Sequence, residues 1–375
     1  MTKLTWRVRN VGTGENITSR ILSMNINDGR EKYLDNYSGG QCVITIKNEN
    51  DYASGIVYGS RYRVDSSPIL SGIYRGFSID YWVQEVTFND EPGDTGLPTA
   101  TIVLVDWLSR SGRISVNNIP LDEKLTGLQF NDLYPYLPSG MFTAATSSDS
   151  IAAAIFYTGT INNYVNLLQT TEHGYLATTG TDLYFVGRSG INSYAPNVIN
   201  LGRSPATSIA YQDFNRIQNG TQFINTSTIS PTGLASQTAK NTASVTAYGP
   251  ASNSSATVDY STTQALGNAT WTANTFADPN YLRFTCTFSD VAQDQTILDF
   301  WMNECWELLH RRTTISYKPP GQSLTSVDVL IEGAQINVTP DQTVFTLFLS
   351  PMQYYQYFTL NSTTLGILNT SRLGW

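Results

Sequence analysis

Residues 41–47 read QCVITIK, residues 75–88 RGFSIDYWVQEVTF and residues 99–108 TATIVLVDWL, and these runs decide the fold. In the first, Cys42, Ile44 and Ile46 alternate with polar partners until Val43 interrupts them. In the second, Phe77, Ile79, Tyr81 and Val83 share one face. The third is rich in β-branched and aromatic residues. Successive side chains of a strand point to opposite faces, so a period of two predicts half-buried strands. The turn-rich segment 89–97, NDEPGDTGL, separates the second run from the third. The chain up to about residue 115 therefore predicts a small antiparallel barrel or sandwich.

The pattern changes from Leu121 onward. Leu125, Leu128 and Leu133 suggest a short helix ending near Pro135. Ile161, Tyr164, Val165 and Leu168 are at helical spacing, with Gly174 as the expected C-terminal cap. Residues 175–188, YLATTGTDLYFVGR, read as a hairpin about Thr179-Gly180, completing a small α+β unit. Residues 206–290 return to β, with 233–241 and 250–268 expected as long surface loops. Residues 293–311 hold the clearest helix: Ile297, Phe300, Trp301, Cys305, Leu308 and Leu309 form a stripe. Asp294 at its start and His310, Arg311 and Arg312 at its end follow the charge order a helix dipole favours. Strands are expected at 326–331 and 343–350. The reading is mainly β with α+β insertions: a β domain at 1–117, an α+β insertion at 118–205, a second β domain with the helix at 206–325, and closing strands at 326–375. No solenoid repeat is visible.

Charged residues make up 14% of the 375, against about a quarter in ordinary soluble domains. A polar but weakly charged surface suits faces that pack on other subunits, because each buried charge costs desolvation; it equally suits a secreted binding protein. Lys plus Arg number 22 and Asp plus Glu 30, a net charge of −8. Without a long basic run, such a chain is a poor clamp for nucleic acid. Cys42, Cys286 and Cys305 are odd in number and far apart, which offers neither a disulfide framework nor a zinc site; Cys42 and Cys305 read as small buried hydrophobes. MTKLTWRVRN at the start has no apolar core of a signal peptide, so the protein is expected to be made in the cytoplasm. Triplets such as Asn16-Ile17-Thr18 and Asn361-Ser362-Thr363 then carry no glycosylation meaning.

A search for chemistry assigns no catalytic, cofactor-binding or metal residue. His173, next to Glu172, and His310 are far apart, with no G-x-S-x-G elbow, and read as capping or surface groups. There is no Walker A pattern, and Gly12-Thr13-Gly14 lacks the third glycine of a dinucleotide fingerprint. Asp90, Glu91 and Asp94 cluster in one loop but miss the EF-hand spacing, so a solvated acidic loop is the better reading than a calcium site. No pair of acids is singled out for glycoside hydrolysis.

The order of segments carries more than any one motif. Residues 17–48, ITSRILSMNINDGREKYLDNYSGGQCVITIKN, resemble the opening of hub-type phage minor tail proteins, through Asp28, Gly29, Arg30, Leu34, Asp35, Tyr37, Gly39, Gly40 and Asn48. Tyr74, Gly76, Ile79 and Asp80 in 69–82 look like that family's next strand signature, and IVLVDWLS at 102–109 its strand ending in Asp plus an apolar pair. Glu172, Gly174 and Arg188 match its helix, "Glu-x-Gly" and hairpin; ASVTAYG at 243–249, 331–351 and 360–375 resemble its later segments, with Asn361 and Asn369 where the family often has Asp.

The resemblance implies a baseplate-hub fold with two tube-like β-barrel domains related by pseudo-symmetry, three chains presenting six barrels that continue a six-fold tube as a three-fold tip. Gly39-Gly40 and Gly76 would then bend strands at barrel corners. The implied role is structural: a homotrimeric ring at the tail tip, touching the tail tube or distal tail protein, the tape measure protein, and tip or fibre proteins. It implies no enzyme activity, no cofactor, no membrane anchor and only passage of DNA through the bore. A carbohydrate-binding or depolymerising tail protein or adhesin is the alternative, suggested by the Tyr/Trp-rich and Asn/Thr-rich β character. Glycan binding or sugar release separates the two, since a hub is expected to be blank in both. A fused cell-wall hydrolase finds no HExxH and no Cys/His pair to support it.

Overall fold

The computed structural model describes residues 4–352 except 34, 68, 71–72, 75, 90–96, 147, 180–181, 194–198, 219–221, 280–281 and 305–310. The three alternating runs form the strands Ser38–Lys47, Ser78–Asn89 and Thr99–Val105. Ser38–Lys47 pairs antiparallel with Thr99–Val105, which pairs with Ser78–Asn89. Cys42, Ile44 and Ile46 are buried opposite Leu104, Ile102 and Ala100, so the period of two in sequence becomes one continuous apolar sheet face. Val43 lies on the other face and is half-buried.

These strands belong to a thirteen-stranded sheet. It runs in the order Trp6–Asn10, Arg61–Ser66, Ser78–Asn89, Thr99–Val105, Ser38–Lys47, Ile21–Gly29, Thr325–Val338, Arg312–Tyr317, Asn200–Gly202, Ser208–Ala210. A branch leaves Thr325–Val338 through Thr343–Pro351 to Leu282–Ser289 and Asp213–Gln218. The early and late parts of the chain thus meet along one seam, Met24–Gly29 against Gly333–Val338. One apolar core lies under both, from Val8, Ile44 and Leu104 to Ile315, Ile336 and Leu347.

The α+β unit follows its helical spacing. In the helix Ile161–Glu172, residues Ile161, Tyr164, Val165 and Leu168 are fully buried, and the Thr160 hydroxyl accepts from the Asn163 N–H at the N-terminus. Tyr175–Thr179 and Asp182–Val186 pair antiparallel as the expected hairpin, and Phe142–Thr146 joins them parallel. The short helix is Thr126–Asn131, followed by a 3-10 turn at Tyr134–Tyr136.

Several expectations change. The residue that closes the helix in the left-handed conformation is His173, at φ 51, rather than Gly174. Gly174 is needed for close approach, since a Cβ there would lie 2.7 Å from the Val186 carbonyl oxygen. Gly39 and Gly76 also admit close neighbours: a Cβ would meet Ser109 Oγ at 2.1 Å and the Ser67 carbonyl at 2.2 Å.

The segments 233–241 and 250–268, expected as long loops, hold two strands and the start of a helix, with a turn kept at 233–236. Thr226–Pro231, Gln237–Lys240 and Ser252–Thr257 form a three-stranded sheet, with Thr262–Thr275 helical beside it. Their shared core is Ile229, Ala265 and Ala269, with Ala239 against it. The sheet's outer rows are hydroxyl pairs, Thr228–Thr238 and Ser230–Ser236, each at 2.9 Å. Alanines inside and hydroxyls outside leave almost no hydrophobic contrast for a periodicity reading to detect. Thr242–Tyr248, expected in a β region, is also helical.

In the 293–311 segment the described helix is Gln295–Glu304. Leu298, Trp301 and Met302 face the core, with Ile297 packed against it, whereas Phe300, expected on the stripe, is 47% exposed. The Asp294 carboxylate accepts from the N–H groups of Thr296 and Ile297, as a start signal should. Cys305, Leu308, Leu309 and His310 lie outside the described residues; Cys42 and Cys286 are free, buried thiols.

Candidate functional site at a buried charged joint

At Gly29, with φ 83, the strand Ile21–Gly29 ends next to a break in its register with Ser38–Lys47. The chain then delivers Arg30 inward. Its partner Glu332 stands at a bulge between Ile331 and Gly333 in the strand Thr325–Val338. Arg30 Nε donates to Glu332 Oε2 at 2.9 Å across 302 sequence positions, and both side chains are buried. The backbones meet as well: Arg30 N–H donates to the Glu332 carbonyl at 3.0 Å. A Cβ on Gly333 would lie 2.5 Å from the Arg30 carbonyl oxygen, so a side chain there would separate them.

Tyr33, Tyr37 and Tyr175 set their rings 4.8, 4.4 and 4.9 Å from the guanidinium carbon. Tyr175 Oη also donates to Glu332 Oε1 at 3.3 Å. The desolvation cost of a buried ion pair is thus offset by hydrogen bonds and by the negative faces of the rings.

Three further buried acids belong to this region, Glu172, Asp28 and Asp106. Glu172, wholly buried at the end of its helix, accepts from Thr126 Oγ1 at 2.8 Å and from the N–H groups of Asp149, Ser150 and Arg188 at 2.9, 2.8 and 3.3 Å. Burial raises its carboxyl pKa, and these donors partly oppose the rise. Asp28 and Asp106 flank Gly40, where a Cβ would meet an oxygen of each at 3.1 Å. Asp106 also caps the helix Trp107–Ser111 through the Ser109 N–H at 2.8 Å and accepts from Thr178 Oγ1 at 3.0 Å. Burial pushes Asp106 up to about 6, and burial together with Asp106 holds Asp28 well above the carboxylate range.

His173 lies against Trp271 with ring centroids 4.3 Å apart. Its backbone closes the helix, as a capping role requires, but its side chain is buried rather than at the surface. Burial, then Arg188 and Arg30, push the imidazole down to about 3, so it is neutral. The joint therefore ties the long sheet, the α+β unit and the helix Thr262–Thr275 together. Asp28, Gly29, Arg30, Tyr37, Gly39, Gly40, Glu172, Gly174 and Arg188, which carried the resemblance, fall in or beside it. Glu332 was not singled out from sequence; its signal was a lone acid followed by glycine inside an apolar strand, VLIEGAQI.

No family model and no curated protein matches the sequence. Solved structures do match. The 43 kDa tail protein of prophage MuSo2 from Shewanella oneidensis aligns with a TM-score of 0.60 at 13% identity, over 93% of this chain and 98% of its own. The tail protein from Neisseria meningitidis MC58 aligns at 0.64 and 12%, over 93% and 96%.

The chain has the fold of phage tail proteins.

The tail-protein fold extends to the Escherichia coli c3393 protein, a type VI secretion component with structural similarity to the T4 tail proteins gp27 and gp5. It matches at a TM-score of 0.51 and 10% identity, over 92% of this chain and 76% of its own. Elsewhere in the tail-protein fold, Asp80 is buried and accepts from Arg63 Nε at 2.5 Å and Nη2 at 3.0 Å, with Arg61 Nε 3.5 Å away. Asn48 is buried and its side chain accepts from the Ala53 N–H at 2.8 Å. Asp90, Glu91 and Asp94 lie outside the described residues, as do 360–375. Among the described residues, no helix is long and apolar enough to cross a membrane, and no group of three metal-ligating side chains occurs.

Proposed function

We propose that this chain is a hub-type minor tail protein, a structural part of a phage tail tip. The observation that carries the reading is the match of nearly its whole length to nearly the whole length of two tail proteins. Three copies form a ring that continues the tail tube and joins it to the distal tip or fibres. The segments 1–117 and 206–325 with 326–375 supply the tube-like parts, and 118–205 packs beside them. The weakly charged surface supports this, because subunit faces with few charges lose little on desolvation.

The partners are copies of this chain, the tail tube or distal tail protein, the tape measure protein, and tip or fibre proteins. The protein is assembled in the host cytoplasm and resides in the virion. It carries out no reaction and holds no cofactor or metal; DNA passes through the bore without specific binding, past acidic residues. Light scattering on the purified full chain should give a trimer, and electron microscopy of the phage particle should show three copies on a ring at the distal tail. A monomer that is absent from the tail tip rejects the reading.

A further inference from the structure

Between the helix Ile161–Glu172 and the strand Ser252–Thr257 lies a cleft of about 490 Å3. That volume falls within the range of about 300–1,000 Å3 typical of small-ligand clefts. The helix lines it with Asn163, Asn166 and Gln169, the strand with Asn253 and Ser255, and Tyr33 and His173 contribute rings. Among the described residues, Asp35 is the one formally charged group lining it, and no Lys or Arg does.

A second observation points to a ligand. His173 is 8% exposed, and its Nε2 is buried without a hydrogen-bond partner; the Oδ1 of Asn166 is also buried and unpartnered. Buried polar atoms are nearly always satisfied, so two open positions at one cleft leave hydrogen-bonding capacity for something else.

The chemistry of the walls selects the guest. Side-chain amides and hydroxyls both donate and accept, as vicinal sugar hydroxyls do. With no Lys or Arg among the described lining residues and the Asp35 carboxylate in the wall, a phosphate, sulfate or uronate is disfavoured. An extended peptide would call for apolar pockets for its alternate side chains, and Leu167, Ile229 and Ala256 are the aliphatic residues available.

We propose that this cleft binds a neutral saccharide through Asn166, Asn253 and His173. The proposal goes beyond the structural role and does not depend on the ring. It departs from the expectation that a hub is blank toward glycans.

Saturation-transfer NMR on the full chain tests it with glucose, galactose, mannose, rhamnose and N-acetylglucosamine, alongside glucuronate and a Ser/Asn-rich peptide. At least one neutral sugar should bind. Asn166→Ala and Asn253→Ala should each weaken it about five- to tenfold, the loss of roughly one hydrogen bond, with unchanged melting temperatures. Val57→Ala, outside the cleft, should not alter the affinity. Two variants on different walls guard against one of them failing to fold. No binding to any neutral sugar, binding only of glucuronate or the peptide, or affinity untouched by both Asn variants overturns the proposal. Light scattering on the same samples reports the trimer separately, so failure of the cleft and failure of the ring are distinguishable.

Discussion

Arg30 and Glu332 show how two residues hold distant parts of a chain. Their side chains are 1% and 0% exposed, so removing either leaves the other charged group buried without its main partner. Such losses cost about 3–5 kcal/mol. Arg30→Ala should lower the melting temperature sharply, while Arg30→Met with Glu332→Leu should cost less than the two single truncations summed. A double-mutant cycle by calorimetry checks this, and simple additivity would count against a direct tie.

The Asp28–Asp106 pair makes a pH prediction. Both carboxyls have raised pKa values, Asp106 to about 6. A raised acid contributes stability that is complete below its unfolded value, near 3.8, and lost as pH rises through the folded value, near 6. Asp28→Asn removes one of the two facing charges. The parent should therefore lose stability relative to Asp28→Asn between pH 4 and pH 8. Parallel melting curves for the two proteins across that interval would contradict the assignment.

Among the elements, the three-stranded sheet with its helix departs most from the sequence reading. Its interior is Ile229, Ala239, Ala265 and Ala269, a thin core with little room for larger side chains. Ala269 is fully buried, so Ala269→Leu overfills the interface and should cost about 1–3 kcal/mol. The damage should stay local, because this unit's core is separate from the one beneath the thirteen-stranded sheet. Hydrogen exchange should quicken at Thr226–Pro231 and Ser252–Thr257 while Ser38–Lys47 stays protected. Equal acceleration in both would show that the unit is not independent.

Across the whole molecule, the seam between Ile21–Gly29 and Thr325–Val338 makes the N-terminal part depend on the C-terminal part. Leu4 N–H donates to Asp290 Oδ2 and the Trp6 indole to Thr343 Oγ1, each at 3.0 Å. A fragment of residues 1–117 would lose these partners and expose the Met24–Gly29 edge, which invites aggregation. It should be insoluble alone and rescued by co-expression with residues 118–375. A soluble fragment with well-dispersed NMR signals would show that this part folds by itself.

The sequence by itself determined the strands and helices whose apolar spacing is strong, such as the alternation of Cys42, Ile44 and Ile46 and the spacing of Ile161, Tyr164, Val165 and Leu168. Those patterns are local, and burial of one face suffices to read them. Tertiary structure decided the rest. It brought Arg30 to Glu332 from across the chain, turned Phe300 outward, made Gly39 a point of contact with Ser109, and assembled a polar sheet around alanines. Each of these depends on which surfaces meet, and residue spacing along one segment carries no information about a partner hundreds of positions away.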